Sequence, residues 1–148
     1  MLARKAKRVY GIELEPEAVR CADALKAKNR LENMTNICGY VEEKLADVLE
    51  KEKGEKVRLI LDPPRAGIHR SVLYALKQSG ISSLTLISCN PATLERDLGI
   101  LTGALKEKDG ALVKSEQDGE YEIKSVEAFD MFPQTKHVES IACLVRKA

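Results

Sequence analysis

Short apolar runs alternate with longer segments of helical periodicity through residue 108, and the alternation stops in the tail. Residues 8–12 (RVYGI) read as a buried strand. Residues 16–31 (PEAVRCADALKAKNRL) read as a helix, with Pro16 in its first turn and apolar spacing at Val19, Ala22 and Leu25. A strand at 36–40 (NICGY), a mostly polar helix at 41–53 stopped by Gly54, and a strand at 57–61 (VRLIL) follow. Residues 70–79 have helical spacing and 83–88 (SLTLIS) form a strand. A helix is expected over 91–108, with Asn90 as N-cap and Pro91 as its first residue. In the tail, 120–131 and 138–146 read as two strands with no helix between them, an antiparallel pair at one sheet edge, and 114–120 reads as a surface loop. Repeated βα units with such a tail predict an α/β fold of three layers around one mostly parallel sheet containing RVYGI, NICGY, VRLIL and SLTLIS.

At 148 residues, 44% hydrophobic and 32% charged, the chain has the size and composition of one ordinary domain. Its 24 Lys+Arg balance 23 Asp+Glu to a net charge of +1, so there is no global positive field and any nucleic-acid contact must come from local patches. The first residues are basic but contain no apolar run of signal-peptide length, and no run nears the roughly eighteen apolar residues a bilayer span requires. The expectation is a cytoplasmic, monomeric protein with no membrane contact. Cys21, Cys38, Cys89 and Cys143 are widely spaced without a C-x-x-C pair, which argues against zinc, an iron–sulfur cluster or a disulfide scaffold; no metal is expected.

Ligands of open parallel sheets bind beyond the carboxyl ends of the strands, so those ends hold the candidate chemistry. RVYGI ends at Glu13, VRLIL at Asp62-Pro63-Pro64-Arg65, and SLTLIS at Cys89-Asn90-Pro91. A carboxylate such as Glu13 suits the ribose hydroxyls of a nucleotide, and equally suits solvation before a helix N-terminus. Two consecutive prolines after Asp62 fix φ and remove two donors, which makes a stiff corner whether or not it serves a ligand. Most free cysteines are buried and inert, but a thiol at the positive end of a helix is biased toward thiolate, and Cys89 alone of the four has that setting. His137, just before the second tail strand, and Glu139, near its start, reach the same rim if the tail pair borders the strand that carries Cys89.

Four stretches, VYGIELEPEAV, LILDPPRAG, ISCNPATLERD and DMFPQTKHVES, resemble in sequence and order the S-adenosylmethionine-dependent RNA uracil-C5 methyltransferases, which make 5-methyluridine in tRNA and rRNA. The resemblance implies a Rossmann-like methyltransferase domain and RNA as partner. Glu13 and Asp62 would then lie at the S-adenosylmethionine site, with Glu42 also near the cofactor. Cys89 would be the nucleophile and Glu139 the base. Methylation of a stacked base requires the uridine to flip out, with Phe132 to hold it and Arg65 near phosphate; Phe132 equally suits a core position and Arg65 a solvated one.

Members of that family carry, upstream of the point matching Met1, a strand and a glycine-rich cofactor turn, and residues 1–7 look like the end of the helix after it. RNA-binding and central domains are also expected in a longer enzyme. The chain thus resembles the C-terminal two-thirds of a catalytic domain, and alone it is expected to hold the cofactor weakly or not at all. Two alternatives stand beside this reading: a non-catalytic module of the same fold, and an amino-methyltransferase using the DPP motif, against which Arg65 in the aromatic position counts.

Overall fold

The computed structural model describes residues 2–135 and 137–147, organised as two compact units, residues 1–53 and 54–148. In the first unit a 3-10 turn (Leu2–Lys5) precedes β1 (Val9–Glu13), α1 (Pro16–Lys28), β2 (Met34–Cys38) and α2 (Val41–Lys51). β1 and β2 pair in parallel from Val9↔Met34 to Glu13↔Cys38. Pro16 opens α1 where no backbone donor is needed, and the Glu15 carboxylate accepts from the Glu17 amide. The Arg8 guanidinium grips Glu52 in a two-pronged pair, Nε to Oε1 at 2.6 Å and Nη2 to Oε2 at 2.5 Å, and the Tyr10 hydroxyl donates to Oε1 at 2.8 Å. This ties the start of β1 to the end of α2. The donors from Arg8, then Tyr10, hold the Glu52 carboxyl at about 2, well below 4.5.

The second unit contains β3 (Arg58–Leu61), α3 (Arg70–Gln78), β4 (Ser83–Ser88), α4 (Pro91–Thr102), β5 (Leu105–Lys108), β6 (Ala111–Lys114), β7 (Tyr121–Phe129) and β8 (Glu139–Arg146). Its four-stranded sheet runs β3-β4-β8-β7, with β3 parallel to β4 and both β8 ladders antiparallel. Alternation along β4 buries Leu84, Leu86 and Ser88; their cross-strand partners on β8, Leu144, Ala142 and Ser140, are buried on the same face. Val72, Leu73 and Leu76 of α3 and Leu94, Leu98 and Leu101 of α4 complete this core. Tyr121 is fully buried at the start of β7. Its hydroxyl lies 3.1 Å from the carbonyl oxygens of Leu76 and Ile81 and accepts from Arg146 Nη1 at 3.3 Å, joining the end of α3 to the sheet edge.

The tail pair stands where the sequence predicts it, with β8 between β4 and β7. Two expectations change. The four strands expected in one parallel sheet form two separate ladders, β1–β2 and β3–β4, because among the described residues β1 bonds only to β2 and β3 only to β4. The helix expected over 91–108 stops at Thr102, where Gly103 takes a left-handed φ of 81°, and the chain enters a β5–β6 hairpin. Asp109 and Gly110, with φ of 53° and 78°, make its two-residue turn, and Asp-Gly between extended segments is the sequence signature of such a turn. Behind the hairpin, Gly119 donates to the Thr102 carbonyl at 2.9 Å, and added Cβ atoms at Gly103 or Gly119 would strike the other's backbone.

Tyr121→Phe removes a buried donor from two carbonyls and is expected to cost about 1–2 kcal/mol in urea unfolding with an unchanged fold. Because Glu52 titrates lower folded than its ordinary 4.5, its contribution is full above pH 4.5 and is lost as pH falls through about 2. The stability gap between wild type and Glu52→Gln, followed by thermal unfolding, should therefore close across that window and stay constant above it.

Candidate active site

Strand direction brings three of the candidates to one end of the four-stranded sheet. β3 and β4 are parallel, so Asp62 and Cys89, each one residue beyond its strand, leave at the same end, while β8 runs the opposite way and begins there with Glu139. The β4–β8 register pairs Ser88 with Ser140, and one further step along the same count sets Cys89 opposite Glu139. On its other side Glu139 pairs with Phe129. Cys89 and Glu139 are half-buried and Asp62 is exposed, so the thiol and carboxylate sit in the rim and not beneath it.

Local chemistry shapes the Cys89 turn. Ser88 Oγ accepts from the Asn90 amide and donates to the Asn90 carbonyl, both at 3.1 Å, closing a tight loop around Cys89. Asn90 then caps α4, its Oδ1 accepting from the Ala92 amide at 3.2 Å, and Pro91 takes the first helical position. The cysteine therefore stands between the end of a buried strand and a capped helix start.

After Asp62, Pro63 and Pro64 stiffen the chain and the Gly67 amide closes a turn on the Pro64 carbonyl at 2.8 Å. Arg65 is exposed. Beyond β7, Met131 and Phe132 are exposed, and the Phe132 ring meets His137 edge-on at 6.3 Å, an arrangement supported by Thr135 Oγ1, which donates to the Phe132 carbonyl and accepts from the His137 amide.

Glu13 and Glu42 belong to the first unit. Glu13 is the exposed last residue of β1, its carboxylate accepting from the Glu15 amide at 2.9 Å, and its carbonyl accepts from the Gly39 amide at 3.0 Å. That bond draws the turn after β2 to the end of β1, so Glu42, exposed in the first turn of α2, follows at the same end of the pair. The structure thus assembles two carboxylates in one unit and Asp62, Cys89 and Glu139 in the other.

Sequence reading misses the side chains that grip the Asp62 loop. Asn90 Nδ2 and Thr93 Oγ1 both reach the Arg65 carbonyl, Arg96 reaches the Ile68 carbonyl, and Asp97 accepts from the Ile68 amide. Their signal is Asp97 itself, a charged residue three after Leu94 and four before Leu101, inside the apolar stripe of α4. An open groove of about 660 Å³ between α4 and the β5–β6 hairpin, lined by residues such as Glu95, Gly99 and Lys114, contains none of the candidates.

The model of the tRNA (uracil-5-)-methyltransferase family matches residues 1–147. This chain belongs to that family. An uncharacterized RNA methyltransferase of Clostridium acetobutylicum is 37% identical over 145 residues, 98% of this chain and 28% of the relative, so the chain spans little more than a quarter of such relatives. The crystal structure of the Pyrococcus abyssi tRNA (uracil-54, C5)-methyltransferase in complex with S-adenosyl-L-homocysteine matches with a TM-score of 0.71 and 27% identity, over 97% of this chain and 30% of that one. An rRNA methylase from Streptococcus thermophilus shares the fold alone, with a TM-score of 0.60 and 15% identity over 99% of this chain and 78% of that one. The fold of this family member is thus a fragment of the Rossmann-like fold of S-adenosylmethionine-dependent methyltransferases, with the antiparallel β7–β8 pair at its end.

Proposed function

We propose that the chain is part of the catalytic domain of an enzyme that methylates C5 of a uridine in tRNA or rRNA, with S-adenosylmethionine as donor and Cys89 as covalent catalyst. In this reading both compact units belong to that one domain, since the family match runs through both. The observation that carries it is the β4–β8 register, which continues by one step to set a half-buried thiol opposite a half-buried carboxylate. Glu13 and Asp62, exposed carboxylates at the carboxyl ends of parallel strands, fit the cofactor because they can accept hydrogen bonds from ribose hydroxyls or an ammonium group.

C5 of uracil is a weak carbon nucleophile. The Cys89 thiolate adds to C6, breaking the C5–C6 π bond and turning the ring into an enolate whose electron density lies on C5. Bound S-adenosylmethionine supplies the electrophilic sulfonium methyl that C5 takes up. C5 then carries both a methyl group and a proton. Glu139 removes that proton, the electron pair re-forms C5=C6, and the Cys89 thiolate leaves. A stacked base cannot offer C6 and C5 to groups on its two faces, so the uridine leaves the stack, within reach of exposed Phe132 and Arg65.

In the complete protein, Cys89→Ala is expected to abolish methyl transfer while leaving S-adenosylmethionine affinity within about twofold, as measured by calorimetry. RNA containing 5-fluorouridine, whose C5 holds fluorine where the proton must leave, should form a gel-stable adduct with wild type and none with Cys89→Ala; an adduct through Cys21, Cys38 or Cys143 refutes the assignment.

Glu139 acts after methyl transfer. Glu139→Gln should still add the methyl group yet stall before elimination, so that a labelled, methylated RNA adduct accumulates on a denaturing gel. Normal turnover by the folded variant excludes Glu139 as base and makes His137 the next residue to test.

A further inference from the structure

The grip of α4 on the loop after Asp62 is built more heavily than a surface turn requires. Asp97 is 1% exposed, and a carboxylate taken out of water must be paired and hydrogen-bonded to be tolerated. Its Oδ2 accepts from the Ile68 amide at 2.8 Å, and its Oδ1 accepts from Arg96 Nε at 2.8 Å and Nη2 at 2.6 Å. Arg96 also donates to the Ile68 carbonyl at 3.2 Å, so the Arg96–Asp97 pair satisfies both backbone groups of Ile68. One turn earlier, Asn90 and Thr93 donate to the Arg65 carbonyl at 3.1 and 3.3 Å. Gly67 lies between these anchors with φ of 81°, and a Cβ there would stand 2.5 Å from Arg96 Nη2 and 2.8 Å from Asp97 Oδ2. Only glycine lets the loop lie this close.

The loop begins at Asp62 and is stiffened at once by Pro63 and Pro64; the helix that holds it is capped by Asn90, the residue after Cys89, and begins at Pro91. We propose that Asp97, through Arg96 and Ile68, is a positioning residue that makes the Asp62 loop and the Cys89 turn one rigid body, fixing the carboxylate relative to the thiol during attack on the uridine. This rests on the proposed function above. The demand is geometric: C6 must lie against the Cys89 thiolate while C5 of the same ring faces the methyl group of the cofactor that Asp62 would hold, and an error near 1 Å in such an arrangement costs orders of magnitude in rate.

The test uses the complete protein with two variants that reach the clamp from opposite sides. Asp97→Asn keeps an acceptor for the Ile68 amide and loses the charge that holds Arg96, while Gly67→Ala pushes the loop away without altering any polar group. Both should form the 5-fluorouridine RNA adduct at least about tenfold more slowly at saturating RNA and cofactor, with RNA affinity within about twofold of wild type, which a loss of folded protein would not produce. Hydrogen exchange reads the clamp without reference to chemistry: the Ile68 amide should exchange faster in Asp97→Asn while β4 and β8 amides stay protected. Folded variants that form adduct at the wild-type rate overturn the positioning role, and unchanged Ile68 exchange overturns the clamp. A wild type that forms no adduct refutes the functional reading and the positioning role with it, leaving the clamp as a structural feature judged by exchange alone.

Discussion

β4 is hydrogen-bonded along both edges, parallel to β3 and antiparallel to β8, and the arrangement of the candidate active site follows from that double pairing. Parallel pairing sends the ends of β3 and β4 out at one rim. Antiparallel pairing brings the beginning of β8 to the same rim. Residues from positions 62, 89 and 139, separated by loops, helices and a hairpin, meet there because of strand direction alone. Register then sets the finer detail. A slip of one residue between β4 and β8 would turn the buried Leu144, Ala142 and Ser140 to the opposite face, so the core that fixes the fold also fixes which residue stands opposite Cys89.

Much of this was legible in the chain. SLTLIS is a strand over the residues its pattern predicts, and the change of rhythm in the tail correctly indicates two helix-free strands; β4 and β8 each bury every second residue along most of their length. The α4 boundary was less legible. Leu105 follows Leu98 and Leu101 at a spacing that a helix could also use, so the decisive information lay in Gly103 and in Asp109-Gly110, where backbone conformation and not hydrophobicity decides the path. The division of the parallel strands into two ladders was not legible at all, since periodicity identifies a strand but not its neighbour.

For the candidate site, motif positions single out Cys89, Asp62 and Glu139, because each is the residue at which an apolar run meets a turn. Asp97 escaped notice since a lone charge in a helix ordinarily faces solvent. Its burial is visible only by counting it against Leu94, Leu98 and Leu101, and its partners, a backbone amide and a neighbouring guanidinium, have no sequence signature. Residues that touch a ligand tend to sit at strand ends; those that hold the ligand-touching loops can sit one helical turn deeper, where polar groups are few and each must be matched.

The crossing of Gly103 and Gly119 gives the β5–β6 hairpin a particular standing. The two glycines bring the chain entering and leaving residues 104–118 into backbone contact, so the hairpin is a closed excursion whose ends are already joined in space. Lengthening, trimming or replacing it alters no path between α4 and β7, and loop closure varies only slowly with length. The paired glycines thus make this hairpin a socket into which other segments could be set, with Glu107, which accepts from Tyr74 and pairs with Arg70 of α3, as its tie to the rest of the unit.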